Sequence, residues 1–266
     1  MKVLFFGDIV GRAARNAVAE VLPGWQEQYQ PDAIIGNVEN LAHGKGVSKG
    51  TLDELLHLGF TAFTSGDHVL SRPEAEELLR NEHYPLVRPA NFPVGHPGRG
   101  RLRIPLGSRD LLLVNLIGQV FIDGEFSSPF TTIDQIITEE LGRGNLAGIL
   151  VDMHAEATSE KVALGWHLDG RVTAVLGTHT HVPTCDNWVM PKGTAYVSDI
   201  GMTGVRESVI GVKTELSLGR FLTGERIHFE PAEVGTVQVT AMLVTFDPAT
   251  TKATAIERCT SQVTAR

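Results

Sequence analysis

The sequence predicts an α/β fold, and three observations carry that prediction. Short apolar, β-branched runs alternate with stretches of helical apolar spacing. The runs stop at glycine or polar residues, as at Gly7-Asp8, Gly66-Asp67 and Gly177-Thr178. Carboxylates, amides and imidazoles cluster at these stops, and open α/β sheets bind ligands outside the carboxyl ends of their strands.

A chain of 266 residues is long enough for one large α/β core or two small domains. With 42% hydrophobic and 20% charged residues it has globular composition, which excludes a disordered chain. The apolar stretches fall far short of a membrane span, and Lys2-Val3-Leu4-Phe5-Phe6 is too short for a signal-peptide core. No membrane association is expected. Cys185 and Cys259, the two cysteines, imply no disulfide framework and fit a reducing cytoplasm. A net charge of −8 argues against non-specific nucleic-acid binding, whereas a small anionic substrate stays open because bound metal reverses the local sign.

Taken in order, Val3–Phe6 reads as a buried strand ended by Gly7-Asp8. Arg12–Tyr29 has helical spacing of Ala13, Val18, Val21 and Leu22, with Pro23-Gly24 expected to bend or break it. Ala33–Val38 is the second strand, followed by Glu39-Asn40 and the loop His43-Gly44-Lys45-Gly46. Ser48 is suited to cap a helix running to about Leu58, and Thr61–Ser65 is a third strand closed by Gly66-Asp67-His68. Ser71 with Pro73 opens a helix ending near Asn81. Arg101–Pro105 and Asp110–Leu116 read as an antiparallel pair across Gly107-Ser108. Thr132–Leu141 is a helix, Leu146–Val151 a strand leading into Asp152-Met153-His154, and Ser159–Leu168 a short helix. Val172–Leu176 is the strand that stops at Gly177 before His179 and His181. Ala195–Ser198 follows, then a C-terminal hairpin of Val237–Phe246 and Lys252–Val263. No linker, repeat or low-complexity tract divides the chain, so residues 1–266 are assigned to one domain.

The strand ends carry the chemistry. In extended backbone alternate side chains share a face, so His179 and His181 would reach toward one point past their strand. Imidazole is the commonest nitrogen ligand for first-row metals. Asp8, Glu39-Asn40, Asp67-His68 and His154 stand at four further strand ends. Each has a bland explanation alone: a loop cap for Asp8, an Asx turn for Glu39-Asn40, an N-cap for Asp67. Five such ends together point to one shared site.

These residues resemble the calcineurin-like metallophosphoesterases in kind and order. The similarity is closer to the bacterial YmdB-like branch, the 2′,3′-cyclic-nucleotide 2′-phosphodiesterases. It rests on Gly7-Asp8, Val38-Glu39-Asn40, Gly66-Asp67-His68, His154 and Gly177-Thr178-His179-Thr180-His181. The stretches 39–46, 88–91, 154–161 and 199–204 agree as well, and the likeness thins after about Glu225. Val10 stands where the wider superfamily has the histidine of Asp-x-His, which the branch also lacks. Two departures are this chain's own. Asp67 replaces the branch's asparagine, and Val69-Leu70-Ser71 replaces its aromatic-containing continuation.

The resemblance implies a four-layer α-β-β-α sandwich, two mixed sheets flanked by helices. It implies a first metal held by Asp8, Glu39, Asn40 and His181, and a second held by Glu39, Asp67, His154 and His179. Glu39 would bridge them, and His68 would act as general acid. Two metals about 3.5–4 Å apart can hold a hydroxide and neutralise an in-line phosphoryl displacement. The donor set suits two divalent or mixed-valence ions, Fe or Mn first, with Zn or Ni open. The absence of cysteine argues against structural zinc. The implied substrate is a small phosphoester, a cyclic nucleotide; the same chemistry on a phosphomonoester or phosphoprotein, and a non-catalytic metal-binding regulator, are the alternatives. A homo-oligomer is compatible with all of these. His43 is a candidate for touching substrate, although Gly44-Lys45-Gly46 is no P-loop. His57, His83, His96, His167 and His228 are read as structural or surface residues.

Overall fold

Side-chain alternation in the first strand, β1 (Lys2–Asp8), sets the layers. Leu4 and Phe6 pack outward against helices, while Val3 and Phe5 pack inward against a second sheet. The computed structural model describes residues 1–265, and after β1 the chain continues with α1 (Gly11–Tyr29), β2 (Ala33–Asn37), α2 (Lys49–His57), β3 (Ala62–Thr64) and α3 (Ala75–Arg80). Next come β4 (Arg101–Leu106), β5 (Arg109–Ile117), α4 (Pro129–Arg143), β6 (Leu146–His154), α5 (Thr158–Leu168) and β7 (Ala174–Thr178). The last part holds β8 (Trp188–Val189), β9 (Ala195–Val197), β10 (Gly204–Val205), α6 (Thr214–Thr223), β11 (Gly235–Phe246) and β12 (Ala253–Ala265).

One sheet joins β1, β2 and β3 in parallel, with β11 antiparallel to β1 and paired along its length to β12. The other runs β4-β5-β6-β7-β9-β8, parallel from β5 to β9 with antiparallel strands at both edges. Phe5, Ile35 and Met242 of the first sheet meet Leu113, Leu150 and Leu176 of the second. Outside the first sheet, Phe6 packs on Trp25 of α1, ring centroids 5.7 Å apart, and on Leu52 and Leu55 of α2. Outside the second, Val114 and Val151 pack on Ile133 and Ile137 of α4 and on Leu164 of α5. Each fully buried Phe or Leu contributes about 1.5–3 kcal/mol. The four layers expected of the sequence are therefore present.

Several boundaries differ from the sequence reading. Pro23-Gly24 does not break α1. Both residues are exposed, so the carbonyl that Pro23 leaves without a donor faces the solvent side, while Leu22 and Trp25 hold the buried face. The helix expected to open at Ser71-Pro73 is split into a 3₁₀ turn at Val69–Ser71 and α3, which starts at Ala75. The helix expected from Thr132 begins at Pro129, which occupies its first turn. Ser48 does cap α2, in a reciprocal box: Thr51 N donates to Ser48 Oγ (3.3 Å) and Ser48 N to Thr51 Oγ1 (3.1 Å).

Both sheets point their parallel carboxyl ends toward one edge, and close approach of backbones brings those ends together. A Cβ on Gly177 would lie 1.7 Å from the Ser198 carbonyl oxygen, and one on Gly7 would lie 2.0 Å from that of Gly201. Between Phe6 and Asp8 the pairing with β2 shifts register, which re-aims Asp8 at the end of its strand.

Candidate metal centre

Four of the residues read from sequence converge. Ligand atoms of Glu39, Asp67, His154 and His179 all lie within 4.8 Å of one another. His154 Nε2 is 3.1 Å from Glu39 Oε1, 3.2 Å from Asp67 Oδ1 and 3.0 Å from His179 Nδ1. Asp8 and His181 face each other alongside, with His181 Nε2 3.9 Å from Asp8 Oδ1. Asn40 donates its amide to the Gly44 carbonyl (3.1 Å), which leaves its oxygen free.

The backbone achieves this differently from the extended His-x-His expected. His179 and His181 both adopt left-handed conformations, φ +99° and +65°. Such backbone costs a non-glycine residue about 1–3 kcal/mol and persists where the surroundings over-determine it. Here Asp199 does so: its Oδ2 accepts from Thr180 N (3.1 Å) and Thr180 Oγ1 (2.8 Å), and its Oδ1 from Gly201 N (2.8 Å). Lys161 Nζ, buried with it, completes the set at 2.8 Å. The turn sends His179 toward Asp67 and His154, and His181 toward Asp8, so the pair serves two places rather than one.

Hydrogen bonds behind the ring dictate which imidazole nitrogen faces the centre. Thr178 Oγ1 donates to Asp152 Oδ1 (2.7 Å) and therefore accepts from His154 Nδ1–H (2.9 Å), leaving Nε2 as the lone-pair nitrogen. His181 Nδ1–H donates to the Ile210 carbonyl (2.8 Å), again freeing Nε2. His179 Nε2–H meets Glu156 Oε2 at 3.2 Å, which frees Nδ1. Lone pairs and carboxylate oxygens thus point at one another, an arrangement that only a cation among them stabilises.

Two buried acceptors complete the test of fit. Among the described residues, Asp8 Oδ1 and Asn40 Oδ1 are buried without any hydrogen-bond partner. Orphaned acceptors of this kind cost about 1–3 kcal/mol each unless something binds them. These hard oxygen and imidazole donors fit a transition-metal ion. A Cβ on Gly66 would sit 2.2 Å from His154 Nε2 and 2.4 Å from Glu39 Oε2, so only glycine leaves the centre open.

The electrostatics agree. Burial raises the Asp8 carboxyl above its usual range and pushes Asp152 up to about 6. Burial alone would depress His154, but Glu39 and Asp67 outweigh it and hold the imidazole well above its ordinary value. Burial would also raise Glu39 and Asp67, yet His154, with His68, holds both below it. His179 is lowered by burial and by the neighbouring His154.

His68 stands at the rim. Its Nδ1 lies 2.8 Å from Asp67 Oδ2, and its backbone N donates to Glu39 Oε2 (3.0 Å). Burial would depress the imidazole, but Asp67 and Glu39 raise it above its ordinary value. His43, with φ +56°, lines the same cleft of about 590 Å³ as Glu39, Asn40, His68 and His181.

Sequence reasoning passed over Asn37, Asp152, Glu156, Lys161, Thr178 and Asp199 as functional residues. Asn37 donates to Asp152 Oδ2 (3.2 Å) and accepts from Glu39 N (3.1 Å), locking a strand end to the carboxylate residue that follows it. Glu156, Lys161 and Asp199 lie in the 154–161 and 199–204 stretches, which was their only signal.

Comparison with known proteins follows the same lines. The family model described as YmdB-like protein matches residues 4–259. The chain is 42% identical over 258 residues to the 2′,3′-cyclic-nucleotide 2′-phosphodiesterase of Bacillus subtilis strain 168, covering 97% of this chain and 96% of that one. A solved structure of a hypothetical protein from Thermus thermophilus superposes with a TM-score of 0.91 at 40% identity, covering 98% of this chain and 99% of that one. That of a phosphatase from Mycoplasma pneumoniae gives 0.92 at 33%, covering 100% and 94%.

Proposed function

The chain belongs to the YmdB-like protein family, and we propose that it is a metal-dependent phosphodiesterase that opens 2′,3′-cyclic nucleotides. The observation that carries this reading is the convergence of Glu39, Asp67, His154 and His179 beside His68, at a cleft that Glu39, His68 and His179 line. In this reading Glu39, Asp67, His154 and His179 hold one ion, and Asp8, Glu39, Asn40 and His181 the other, with Glu39 shared. Fe or Mn is our assignment. Two such ions, when bound, supply Lewis-acid charge at the phosphoryl oxygens and an activated water. Residues 1–266 would form a single domain working in the cytoplasm. Two free cysteines accord with that location. Among the described residues no helix is long and apolar enough to cross a membrane.

The chain's own residues divide the remaining work. Glu156, Thr178 and Ile210 hold the three ligand imidazoles in their tautomers. His68, with Nδ1 engaged by Asp67, has Nε2 left to protonate the leaving 2′-oxygen. Breaking the bond from phosphorus to that oxygen leaves a 3′-monophosphate. A panel of a 2′,3′-cyclic nucleotide, an activated aryl diester, a nucleoside monophosphate and a phosphopeptide tests the reading. We expect the cyclic nucleotide to be cleaved fastest. Cleavage confined to the monoester or the phosphopeptide would make the protein a phosphatase, and a metal-loaded sample inert to all four would make it a non-catalytic binder.

Asp67 adds a second expectation. Two divalent ions facing Asp8, Glu39 and Asp67 leave one net positive charge, and asparagine at position 67 would leave two. A more cationic site stabilises developing phosphoryl charge better. The same substitution removes a carboxylate that, with Glu39, raises the His68 imidazole above its ordinary value against the effect of burial. Asp67→Asn should therefore raise turnover with divalent metals at acid pH, release one ion faster, and move the alkaline limb of the pH profile downward. An unmoved alkaline limb would show that Asp67 does not hold the His68 proton, and the lack of any acid-side gain would remove the charge argument.

A further inference from the structure

The cleft is also lined by apolar side chains that have no part in metal binding or proton transfer. Phe229, Val212 and Pro231 line it together with Glu39, His68 and His179. Phe229 is 38% exposed, and the Arg220 guanidinium lies over its ring at 5.0 Å from the centroid. A large aromatic left accessible inside a cleft, with a cation over its ring, is suited to stacking a second π system. We propose that Phe229 is the platform on which the nucleobase of the substrate stacks, an inference that rests on the cyclic-nucleotide reading above.

The platform is built into the fold. Lys213 N donates to the Glu230 carbonyl (3.0 Å) and Ala232 N to that of Gly211 (2.8 Å), while Lys213 and Glu230 pair through their side chains. These bonds, made just after Phe229 in the chain, tie its segment to the loop whose Ile210 carbonyl orients His181. Base platform and metal ligand thus hang on one loop. The cleft, at about 590 Å³, has the size of a small-molecule site. The segment lies beyond Glu225, where the family motifs thin out, a natural place for selectivity rather than chemistry. Purines, with the larger ring surface, gain more from such a stack than pyrimidines.

Calorimetric titration of the metal-loaded protein with adenosine 3′-monophosphate, the product of 2′-ester cleavage, and with inorganic phosphate separates base from phosphate. Phe229→Ala is expected to weaken nucleotide affinity about 5- to 150-fold while phosphate affinity stays level. Phe229→Trp should restore it. Phe221→Ala, a change at an 80% exposed residue of α6 that does not line the cleft, should behave as the parent protein. With 2′,3′-cyclic AMP the loss in Phe229→Ala should fall on KM rather than kcat. Nucleotide and phosphate affinities that move together, a Phe221→Ala loss equal to that of Phe229→Ala, or a parent protein that binds nucleotide no tighter than phosphate would each overturn the platform. Nucleotide affinity that depends on Phe229 in a protein that cleaves no cyclic nucleotide would leave the platform standing and remove the diesterase reading.

Discussion

His68→Ala is expected to lower turnover of a 2′,3′-cyclic nucleotide by about 10²–10⁴-fold, the range for loss of a positioned general acid. The reason is the leaving group. A ribose 2′-alkoxide is a strong base and needs a proton as its bond to phosphorus breaks. His68 is placed to give one, because Asp67 holds Nδ1 at 2.8 Å and the neighbouring carboxylates keep the ring more basic than free imidazole. An aryl diester leaves as a stabilised phenolate and gains little from the proton, so its hydrolysis should fall far less. The ratio between the two substrates is the readout. Equal losses on both would remove the acid role and leave His68 as a support for Asp67.

Stripping the metals is expected to reverse the pH dependence of stability. In the metal-free protein Asp8 is raised by burial and Asp152 is pushed up to about 6. His154 and His68 are raised because carboxylates outweigh burial. All four bind protons more tightly folded than unfolded, so stability falls as pH rises, first through the carboxyls and then through the imidazoles. His179, lowered by burial and by His154, opposes them alone. Glu39 and Asp67, held below 4.5 and 3.8, act on the acid side of this window. The melting temperature of chelated protein should therefore decline from about pH 5 to about pH 8. Metal ions compete with those protons, so loaded protein should hold level or rise over the same range. At neutral pH the gap should be roughly 15–30 °C for two ions each at about a thousand times its dissociation constant. Parallel curves for loaded and stripped protein would mean that the buried carboxylates are not what the ions neutralise.

The chemistry was more legible in the sequence than the means of holding it in place. Asp8, Glu39-Asn40, Asp67-His68, His154 and the His179-x-His181 pair show themselves because strands announce their ends and these residues sit just beyond them. The left-handed turn at His179 and His181 does not, since it depends on Asp199, which follows β9 and reaches the turn through the pairing of β9 with β7, and on Lys161, which comes from α5. Asp152 reads only as the step from a strand ending at Val151 to His154 until Thr178 and Asn37 arrive from neighbouring strands. Short elements fared worst. β8 and β10 have two residues each, and β10 is defined by pairing with β11, which lies well beyond it in the chain. α6 buries only Ser217 and presents Leu218, Phe221 and Leu222 to the surface, so apolar periodicity could not identify it. Pro23 misled for the opposite reason: its rule is local, and burial of Trp25 and Leu22 overrides it.

The central claim is that two ions share Glu39, one set among Asp67, His154 and His179, the other beside Asp8, Asn40 and His181. Elemental analysis of protein purified without chelator and equilibrated with manganese tests it most directly. The expected result is about two equivalents per chain, with Glu39 the shared carboxylate of a two-metal site. A single equivalent, or none, in protein that is fully folded would contradict it.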